Sequence, residues 1–323
     1  MSKFLIIRFS SIGDIVLTTP VIRCIKKDNK NHEIHYLTKS NFASLLVSNP
    51  YLNKVHTIEK KVSEIADILQ AENFDFVIDL HNNLRSAKVK LLLKKKSFTF
   101  KKLNFKKWIL VNTKIDLLPN KHIVTRYLET LQPLNIVDDG LGLDFYIEPQ
   151  TVLPNTILEL ENYIAFVIGG THKTKKLTDD KIISICKKID KPILLLGGKE
   201  ETENGKNICD NSSSNVHDFC GKLSLQQSAL VVKNASIVIT HDTGLMHIAA
   251  AFGKKIISVW GNTVPEFGMY PYLVDKNKIE NNIIVEVENL SCRPCSKIGY
   301  KQCPKKHFNC INLIDENEIV NNI

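Results

Sequence analysis

The sequence has no long hydrophobic run and no export signal. No apolar stretch approaches the roughly 18 residues that a membrane-spanning helix needs. The first residues, MSKFLIIRFSSIGD, place one lysine before about five apolar residues and offer no small-residue cleavage site, unlike a signal peptide. These absences argue against an integral membrane protein and predict a cytoplasmic one.

The sequence also lacks low-complexity segments, short repeats and any DNA- or RNA-binding motif, so we expect no nucleic-acid partner. Its 323 residues suit two domains of about 150 residues each, and its 43% hydrophobic and 24% charged residues are typical of globular proteins. The net charge of +9 is diffuse, but lysines and aromatic residues are mixed in residues 91–108, LLLKKKSFTFKKLNFKKW. This stretch is a solvated helix face or a surface that attracts an anionic membrane or an acidic acceptor.

Eight cysteines fall into two sets. Four are scattered along the chain, and four crowd into CRPCSKIGYKQCPKKHFNC, namely Cys292, Cys295, Cys303 and Cys310. The first pair has the CxxC spacing of zinc sites, but the second pair is too widely spaced. The pattern allows a structural zinc and favours disulfides or reduced, packed thiols. We therefore predict no metal and no cofactor.

Apolar strand-like segments alternate with amphipathic helices in both halves of the chain, which predicts two doubly wound parallel sheets. The predicted strands are 3–9, 33–38, 55–58, 74–80, 163–169, 192–198, 236–242 and 255–261. The predicted helices are 14–27, 42–49, 61–73, 85–95, 122–134, 179–189, 224–235 and 244–253. We place the domains at residues 1–153 and 154–323, two Rossmann-like units that face a central cleft. This arrangement allows the last helix to pack back on the first domain.

Two loops of the second half have residues suited to an anion, and both follow strands whose carboxyl ends line such clefts. The first, GGTHKTKKLT, has two glycines, the hydroxyl of Thr171 and the charges of Lys175 and Lys176 before a helix. It is not a Walker loop, and a solvated lysine turn is the alternative.

In the second loop, HDTGLMHIAAAFG, a strand runs into Asp242, Thr243 and Gly244, and His247 follows in the first turn of a helix. Helix N-terminal amides attract phosphates. Alternatively, Asp242 is a plain N-cap and His247 a core histidine. Together the two loops favour a nucleotide-diphosphate pocket.

The first half has a similar turn with the opposite charge. In IIRFSSIGDIVLTTP a strand ends in a small turn and a helix follows, but Asp14 lies where a phosphate would bind, and its carboxylate would repel it. Arg85 begins a helix in DLHNNLRSA, and His122 and Arg126, four residues apart, share a helix face. These cationic side chains would suit an anionic second substrate.

Four segments resemble, in order and spacing, the lipopolysaccharide heptosyltransferases of glycosyltransferase family 9. They are IIRFSSIGDIVLTTPVIRCIKK, DFVIDLHNNLRSA, GGTHKTKKLT and ITHDTGLMHIAAAFGKKIISVWGNT. The resemblance implies a GT-B fold and a metal-independent, inverting transfer of L-glycero-D-manno-heptose from ADP-heptose to inner-core lipopolysaccharide. The first domain would then bind the acceptor, and the second the donor. The implied partners are ADP-heptose, an anionic lipid-linked acceptor (lipid A–Kdo or heptosylated core), and the cytoplasmic face of the inner membrane.

The resemblance also implies roles for residues. Asp14 inherits the role of general base, in a turn with Ser11 and Gly13, and Lys175 contacts the diphosphate beside Thr171 and Lys176. The remaining implied residues are Asp242, Thr243, Gly244, Leu245 and His247 at the phosphates and sugar, Gln226 at the nucleoside, and His122, Arg126 and Arg85 at the acceptor. Two positions depart from the family pattern: Leu177-Thr178 replaces a Trp-Pro pair, and Gln226 lacks a charge.

The chemistry expected of these residues needs one base and a stabilised leaving group. Asp14 can take the proton of the attacking hydroxyl, while Lys175 and helix amides stabilise the diphosphate. No DxD-type run follows a strand, and on the acceptor side only Asp14 is placed at a loop of the cleft, which disfavours a two-carboxylate hydrolase. The alternatives are transfer from another nucleotide sugar, a sugar-nucleotide epimerase or binding protein, and a membrane-surface scaffold.

Overall fold

The computed structural model describes residues 1–274 and 280–323. The chain divides into two units, Met1–Lys102 with Lys121–Glu148, and Leu103–Asn120 with Pro149–Ile323. Among the described residues, no helix combines the length and the apolar character needed to cross a bilayer.

The first unit has a five-stranded parallel sheet in the order β3-β2-β1-β4-β5. Its strands are β1 (Lys3–Ile7), β2 (Glu33–Lys39), β3 (Lys54–Ile58), β4 (Phe76–Asp79) and β5 (Lys96–Thr99). Its α-helices are Ile12–Val16, Thr19–Asp28, Ala66–Ala71, Leu84–Leu93 and Ile123–Leu128, with 3-10 turns at Ser40–Leu45, Val62–Ile65 and Glu129–Leu134. The strands after β1 are added first on one side of it (β2, β3) and then on the other (β4, β5), so the strand order reverses between β1 and β4. The loops after β1 and β4 are therefore neighbours at the carboxyl edge of the sheet.

The second unit has a six-stranded parallel sheet in the order β11-β10-β9-β6-β7-β8. Its strands are β6 (Ile164–Val167), β7 (Ile193–Leu196), β8 (Val216–Asp218), β9 (Ile237–His241), β10 (Lys255–Trp260) and β11 (Asn282–Glu286). Its α-helices are Asn104–Thr113, Asn155–Leu158, Asp179–Cys186, Thr202–Asn211, Leu225–Asn234, Gly244–Ala251, Asn309–Asn312 and Glu316–Val320. Its 3-10 turns are Lys173–Lys175, Lys199–Glu201 and Pro265–Phe267. Here the order reverses between β6 and β9.

Each sheet is buried on both faces, which explains the apolar strand sequences. All five residues of β9 and all four of β6 and β7 are buried. Caps place the helices that follow: Thr178 accepts a hydrogen bond from the amide of Lys181, and Asn83 accepts one from the amide of Ser86. Because the strands and caps fix the start of each helix, the loops at the carboxyl edges are well defined.

The structure differs from the sequence-based elements in places. The helix predicted at 14–27 is two helices, since the Thr18 hydroxyl donates to the carbonyl of Ile15 and Pro20 lies in the first turn of the second helix. The helix predicted at 42–49 is a 3-10 turn, and the one at 122–134 becomes 3-10 from Glu129. The structure also has three strands and two longer helices that the sequence pattern does not predict: β5, β8, β11, Asn104–Thr113 and Thr202–Asn211.

Residues 103–120 lie with the second unit, although the predicted first domain runs unbroken to residue 153. Leu110 of this segment packs against Val264 and Phe267, which explains the grouping. The final helix, Glu316–Val320, packs on Asp179–Cys186, where Glu316 accepts a hydrogen bond from Ser184. Both contacts are internal to the second unit.

Candidate active site

In the second unit, the lysine loop after β6 meets the Asp-Thr-Gly loop after β9. The two strands are hydrogen-bonded neighbours, with Phe166 opposite Ile239, so their loops emerge side by side. Lys175 Nζ lies 2.5 Å from Asp242 Oδ2, which also accepts a hydrogen bond from Thr263 Oγ1 at 3.0 Å. The structure therefore brings together the two loops that the sequence singled out.

A helix N-terminus lies at the same place. Thr243 is the extended N-cap residue of the helix Gly244–Ala251. A Cβ on Gly170 would lie 3.2 Å from Lys176 Cγ and 3.5 Å from Thr243 Cγ2, so glycine allows the two loops to approach closely. Helix amides beside an ammonium group form a site suited to a phosphate. Thr171 is exposed on the lysine loop, and Leu245 is half-buried in the helix.

The two predicted donor lysines have different partners. Lys176 Nζ pairs with Glu201 at 3.0 Å, and the buried Glu201 also accepts a hydrogen bond from the amide of Gly198. This pair ties the lysine loop to the loop after β7. Lys175 pairs with Asp242, at the helix N-terminus. Of the two lysines, Lys175 is therefore the one beside the helix N-terminus.

The other predicted donor residues are buried in the second unit. His247 is buried one turn into its helix, and Gln226 is buried in the first turn of Leu225–Asn234. Ser224 caps that second helix by accepting from the amide of Gln227 at 3.2 Å. The two side chains thus begin helices that follow β9 and β8, at the carboxyl edge of the sheet.

In the first unit, Asp14 is held in its turn by three contacts. Its Oδ1 lies 2.7 Å from Arg8 Nη2, and its Oδ2 accepts hydrogen bonds from the amide and hydroxyl of Ser11 at 3.2 and 2.8 Å. Gly13 is buried in the same short helix. Arg8 is buried too, and although burial lowers its pKa, the charge of Asp14 raises that pKa above its usual value. A permanent cation therefore lies against the predicted base.

Arg8 is itself fixed by the first unit. Its remaining donors bind the carbonyls of Ser10 and Leu80 at 2.8 and 2.7 Å and the hydroxyl of Tyr127 at 3.0 Å. Leu80 follows β4, and Tyr127 lies in the helix Ile123–Leu128. Arg8 thus links the Asp14 turn to two other segments that contain predicted acceptor residues.

The predicted acceptor residues are arranged around this turn in different ways. Arg85 lies over the ring of Phe9, with its guanidinium carbon 5.2 Å from the ring centre. The sequence predicts His122 within a helix, but in the structure it is the N-cap residue of Ile123–Leu128. Its Nδ1 accepts a hydrogen bond from the amide of Val124 at 3.2 Å. The extended backbone of a cap residue explains the difference. Arg126 is buried and donates to the carbonyl of Lys101 at 2.6 Å.

The guanidinium of Arg126 does not use all of its hydrogen-bond donors within the described residues. Its Nε is buried and has no hydrogen-bond acceptor within the described part of the chain. Burial lowers the pKa of Arg126, and no carboxylate pairs with it among the described residues. A buried cation that lacks an anion favours an anionic ligand.

A family model described as glycosyltransferase family 9 (heptosyltransferase) matches residues 62–305. The chain belongs to glycosyltransferase family 9. It is therefore a glycosyltransferase. Lipopolysaccharide heptosyltransferase 1 of Campylobacter coli is 25% identical over 98% of this chain and 97% of its own length.

Two solved structures share the fold of this family 9 member. A glycosyltransferase family 9 protein from Veillonella parvula has a TM-score of 0.77 and 18% identity, covering 99% of this chain and 95% of its own. The ADP-heptose lipopolysaccharide heptosyltransferase II of Escherichia coli has a TM-score of 0.72 and 18% identity, covering 99% and 97%. With two parallel-sheet α/β units and these neighbours, the predicted GT-B fold class is confirmed.

Sequence reasoning missed several residues that support the family 9 site. His241 ends β9, is fully buried, and accepts a hydrogen bond from the amide of Leu177 at 2.9 Å, which ties the lysine loop to that strand. Burial and the charge of Lys176 lower the pKa of His241 to about 3, so it is a neutral acceptor. Its place at a strand end, directly before Asp242, was the available signal.

His81, which follows β4, is a second residue that the sequence motifs do not indicate. Burial, together with the charges of Arg8 and Lys102, lowers the pKa of His81 to about 4, so it is neutral at pH 7. Its Nδ1 faces the amide of Phe9 at 3.4 Å. The fully buried Asp79 shapes this loop by accepting from the amides of His81 and Asn82 and from the Ser86 hydroxyl.

The lysine loop is also held by the cysteine-rich segment. Thr174, directly before Lys175, accepts a hydrogen bond from the amide of Tyr300 at 2.8 Å and donates to Asn262 at 2.9 Å. The amide of Thr174 donates to the Tyr300 carbonyl at 3.2 Å. A Cβ on Gly261 would lie 2.3 Å from the Thr174 carbonyl, so glycine is required there. No local sequence signal connects residues this far apart.

All four clustered cysteines line one cavity with Thr174, Asn262 and His307. The cysteines are free thiols, so disulfides, one of the two favoured interpretations, are not formed, and reduced thiols remain. Burial, with the neighbouring thiols, raises the pKa of Cys310 to about 11 and also raises that of Cys295. These two thiols are therefore protonated at neutral pH.

Among the described residues, two groups in the first unit place three possible metal ligands within 4.8 Å of one another. They are His35, His56 and Glu72, and Cys24, Asp138 and Asp139. Cations of the protein already neutralise both groups. Lys3 and Lys54 lie 2.5 and 2.6 Å from Glu72, and Arg23 and Lys27 lie 2.8 and 2.9 Å from Asp139.

Proposed function

We propose that the protein transfers L-glycero-D-manno-heptose from ADP-heptose to the inner core of lipopolysaccharide, with inversion and without a metal. The observation that supports this most is Lys175 paired with Asp242 beside the N-terminus of Gly244–Ala251. Such a site fits a sugar-nucleotide diphosphate. The relatives named for lipopolysaccharide and ADP-heptose support the choice of sugar and acceptor.

In the proposed reaction, an acceptor hydroxyl attacks the anomeric carbon of the heptose from the face opposite the diphosphate. The new bond joins the acceptor oxygen to the anomeric carbon, the bond from that carbon to the diphosphate oxygen breaks, and ADP leaves. Asp14 accepts the proton of the hydroxyl, which contributes about 10²–10⁴-fold. Ser11 and Arg8 hold the carboxylate in position for this step.

The leaving diphosphate gains negative charge as the bond breaks. Lys175 and the first amides of Gly244–Ala251 can stabilise that charge without a metal. Thr171, Lys176, Thr243, Leu245 and His247 would complete the phosphate and sugar contacts, and Gln226 would contact the nucleoside. To bind, the diphosphate replaces Asp242 as the partner of Lys175.

The acceptor in this proposal is an anionic, lipid-linked saccharide, either lipid A–Kdo or heptosylated core. Arg126, whose buried Nε has no hydrogen-bond acceptor among residues 1–274 and 280–323, supports an anionic acceptor, and Arg85 and His122 would assist. Because that acceptor is anchored in a bilayer, we include contact with the cytoplasmic face of the inner membrane in the proposal.

Transfer can be tested by incubating the protein and ADP-heptose with a panel of truncated core acceptors, measuring ADP release and the mass of the acceptor. We expect a gain of one heptose on one acceptor only. Transfer from another nucleotide sugar, but not from ADP-heptose, would contradict the proposal that ADP-heptose is the donor. Release of free heptose with ADP would instead indicate a hydrolase, and an isomerised sugar nucleotide would indicate an epimerase.

A further inference from the structure

The helix Asn104–Thr113 has apolar residues on two opposite faces. One face packs in the second unit, where Leu110 contacts Val264 and Phe267. The other face is in water, with Phe105 72% and Trp108 53% exposed. A surface helix normally has a polar outer face, so this outer face is an exception.

The two exposed aromatic side chains lie against each other. The rings of Phe105 and Trp108 are stacked, with centres 6.3 Å apart and planes inclined by 9°. Beyond the helix end, Ile115 and Leu117 are also exposed, at 58% and 48%. These four residues, with Lys106, are here called the aromatic–basic surface.

The two tryptophans of the chain differ in their surroundings. Of the two tryptophans, Trp260 is 1% exposed and its indole N–H donates to the hydroxyl of Ser258 at 3.1 Å. Trp108 lies on the surface instead. Tryptophan at a boundary between water and hydrocarbon can bury its ring and keep its N–H near polar groups.

The charges beside this surface favour an anionic partner. Residues 103–120 contain three lysines and a single acidic residue, Asp116. Lys106 is exposed, and Lys114 donates to the backbone carbonyls of Val111, Cys292 and Pro294. Neither lysine pairs with a carboxylate among the described residues. Lysine is depleted from protein interfaces but flanks aromatic residues on helices that lie on anionic bilayers.

We propose that the aromatic–basic surface docks the second unit on an anionic lipid bilayer, with Phe105, Trp108, Ile115 and Leu117 entering the headgroup region and Lys106 contacting lipid phosphates. This surface deepens the proposed function, since it brings the enzyme to the membrane that contains a lipid-linked acceptor. The docking surface itself is inferred only from its exposed apolar side chains and its positive charges.

Binding can be measured by cosedimentation of the full chain with vesicles of phosphatidylcholine, alone or with phosphatidylglycerol. We expect binding only to the anionic vesicles, weakening as salt is added. The tryptophan emission should shift to shorter wavelength on binding. In Trp108→Phe the binding should persist and the spectral shift should disappear, since Trp260 is already buried.

The double variant Phe105→Ser/Trp108→Ser should reduce the partition coefficient at least about tenfold. Lys106→Glu should weaken binding to anionic vesicles several-fold, because it reverses one charge. The matched control is Val137→Ser, which removes an 80% exposed valine from the first unit and should bind like the wild type. Thermal melts should confirm that each variant is folded.

Three results would overturn the docking surface. They are absence of wild-type binding at low salt, unchanged binding by the folded double variant, and a wild-type dimer that the double variant converts to a monomer, which would assign the surface to a second copy. Transfer to a delipidated, soluble acceptor separates this inference from the proposed function. The double variant should keep that transfer, whereas vesicle binding by a protein that transfers no heptose would contradict only the proposed function.

Discussion

At the scale of the residue, each unit pairs one carboxylate with one cation where its strand order reverses. Asp14 lies 2.7 Å from Arg8, and Asp242 lies 2.5 Å from Lys175. The two cations differ in freedom. Arg8 is buried and its donors are bound to backbone and Tyr127, whereas Lys175 is a flexible, partly exposed chain. Arg8 is therefore suited to hold Asp14 still, and Lys175 to move to a phosphate.

We expect Asp14→Asn to abolish transfer, reducing kcat by about 10²–10⁴-fold, because the amide cannot accept the hydroxyl proton. The affinity for ADP, measured by calorimetry, should stay within a few-fold of wild type. Asp67→Asn is the control, since Asp67 is an exposed aspartate of the same unit. Near-normal turnover in the Asp14 variant would show that another group is the base.

Lys175→Ala should weaken both ADP-heptose binding and turnover, by about tenfold to a hundredfold, because a charged hydrogen bond to the diphosphate is lost. Binding is measured by calorimetry and turnover by ADP release. The exposed Lys173, two residues earlier in the same loop, provides the control Lys173→Ala, which should be close to wild type. Equal losses in the two variants would mean that the loop's overall charge, rather than Lys175, binds the donor.

At the scale of the element, the buried central strands and the strand-end loops are predictable from sequence, whereas several edge strands are not. β1, β6 and β9 are wholly or almost wholly buried, so their sequences are continuous apolar runs. β5 (KSFT) and β8 (VHD) lie at sheet edges and are short and polar. Such segments lack a periodic signal, which explains why they were missed.

In the candidate site, the residues at strand ends are predictable from sequence, but the contacts that support them are not. Lys175 and Asp242 were predictable because strand order puts their loops together. The contacts that hold the site were not, because they join distant positions. Thr174 and Tyr300 are 126 residues apart, and Arg8 and Tyr127 are 119 apart.

We expect Thr174→Val to raise the KM for ADP-heptose, by about five- to tenfold, more than it lowers kcat. The variant leaves the amide of Tyr300 and the side chain of Asn262 without their partner, at a cost of about 1–3 kcal/mol, so Lys175 is less well placed. Steady-state kinetics and a thermal melt measure the two effects. Thr174→Ser keeps the hydroxyl and should restore the KM, and a failure of that rescue would refute the positioning role.

At the scale of the whole molecule, both units have buried histidines that are neutral in the folded state. In the first unit, burial and the charges of His35 and Lys54 lower the pKa of His56 to about 4. In the second, burial also lowers the pKa of His241. The unfolded chain would protonate both near pH 6.5. The folded protein therefore binds fewer protons than the unfolded chain between about pH 6.5 and 4.

Stability should consequently decrease as the pH is lowered through this window, because the unfolded state takes up protons that the folded state excludes. At pH 5, His56 alone is expected to contribute a loss of about 2 kcal/mol relative to pH 7. Glu72 acts in the same direction at lower pH: burial raises its pKa, but Lys3 and Lys54 lower it to about 2, so its stabilisation is present above about pH 4.5 and disappears as the pH falls toward 2.

Calorimetry at pH 7, 6 and 5 measures the shift in unfolding temperature. In His56→Gln, which cannot titrate, the shift should be smaller, while the exposed His307→Gln should behave like the wild type. If His56→Gln loses as much stability as the wild type between pH 7 and pH 5, the acid sensitivity originates in another group.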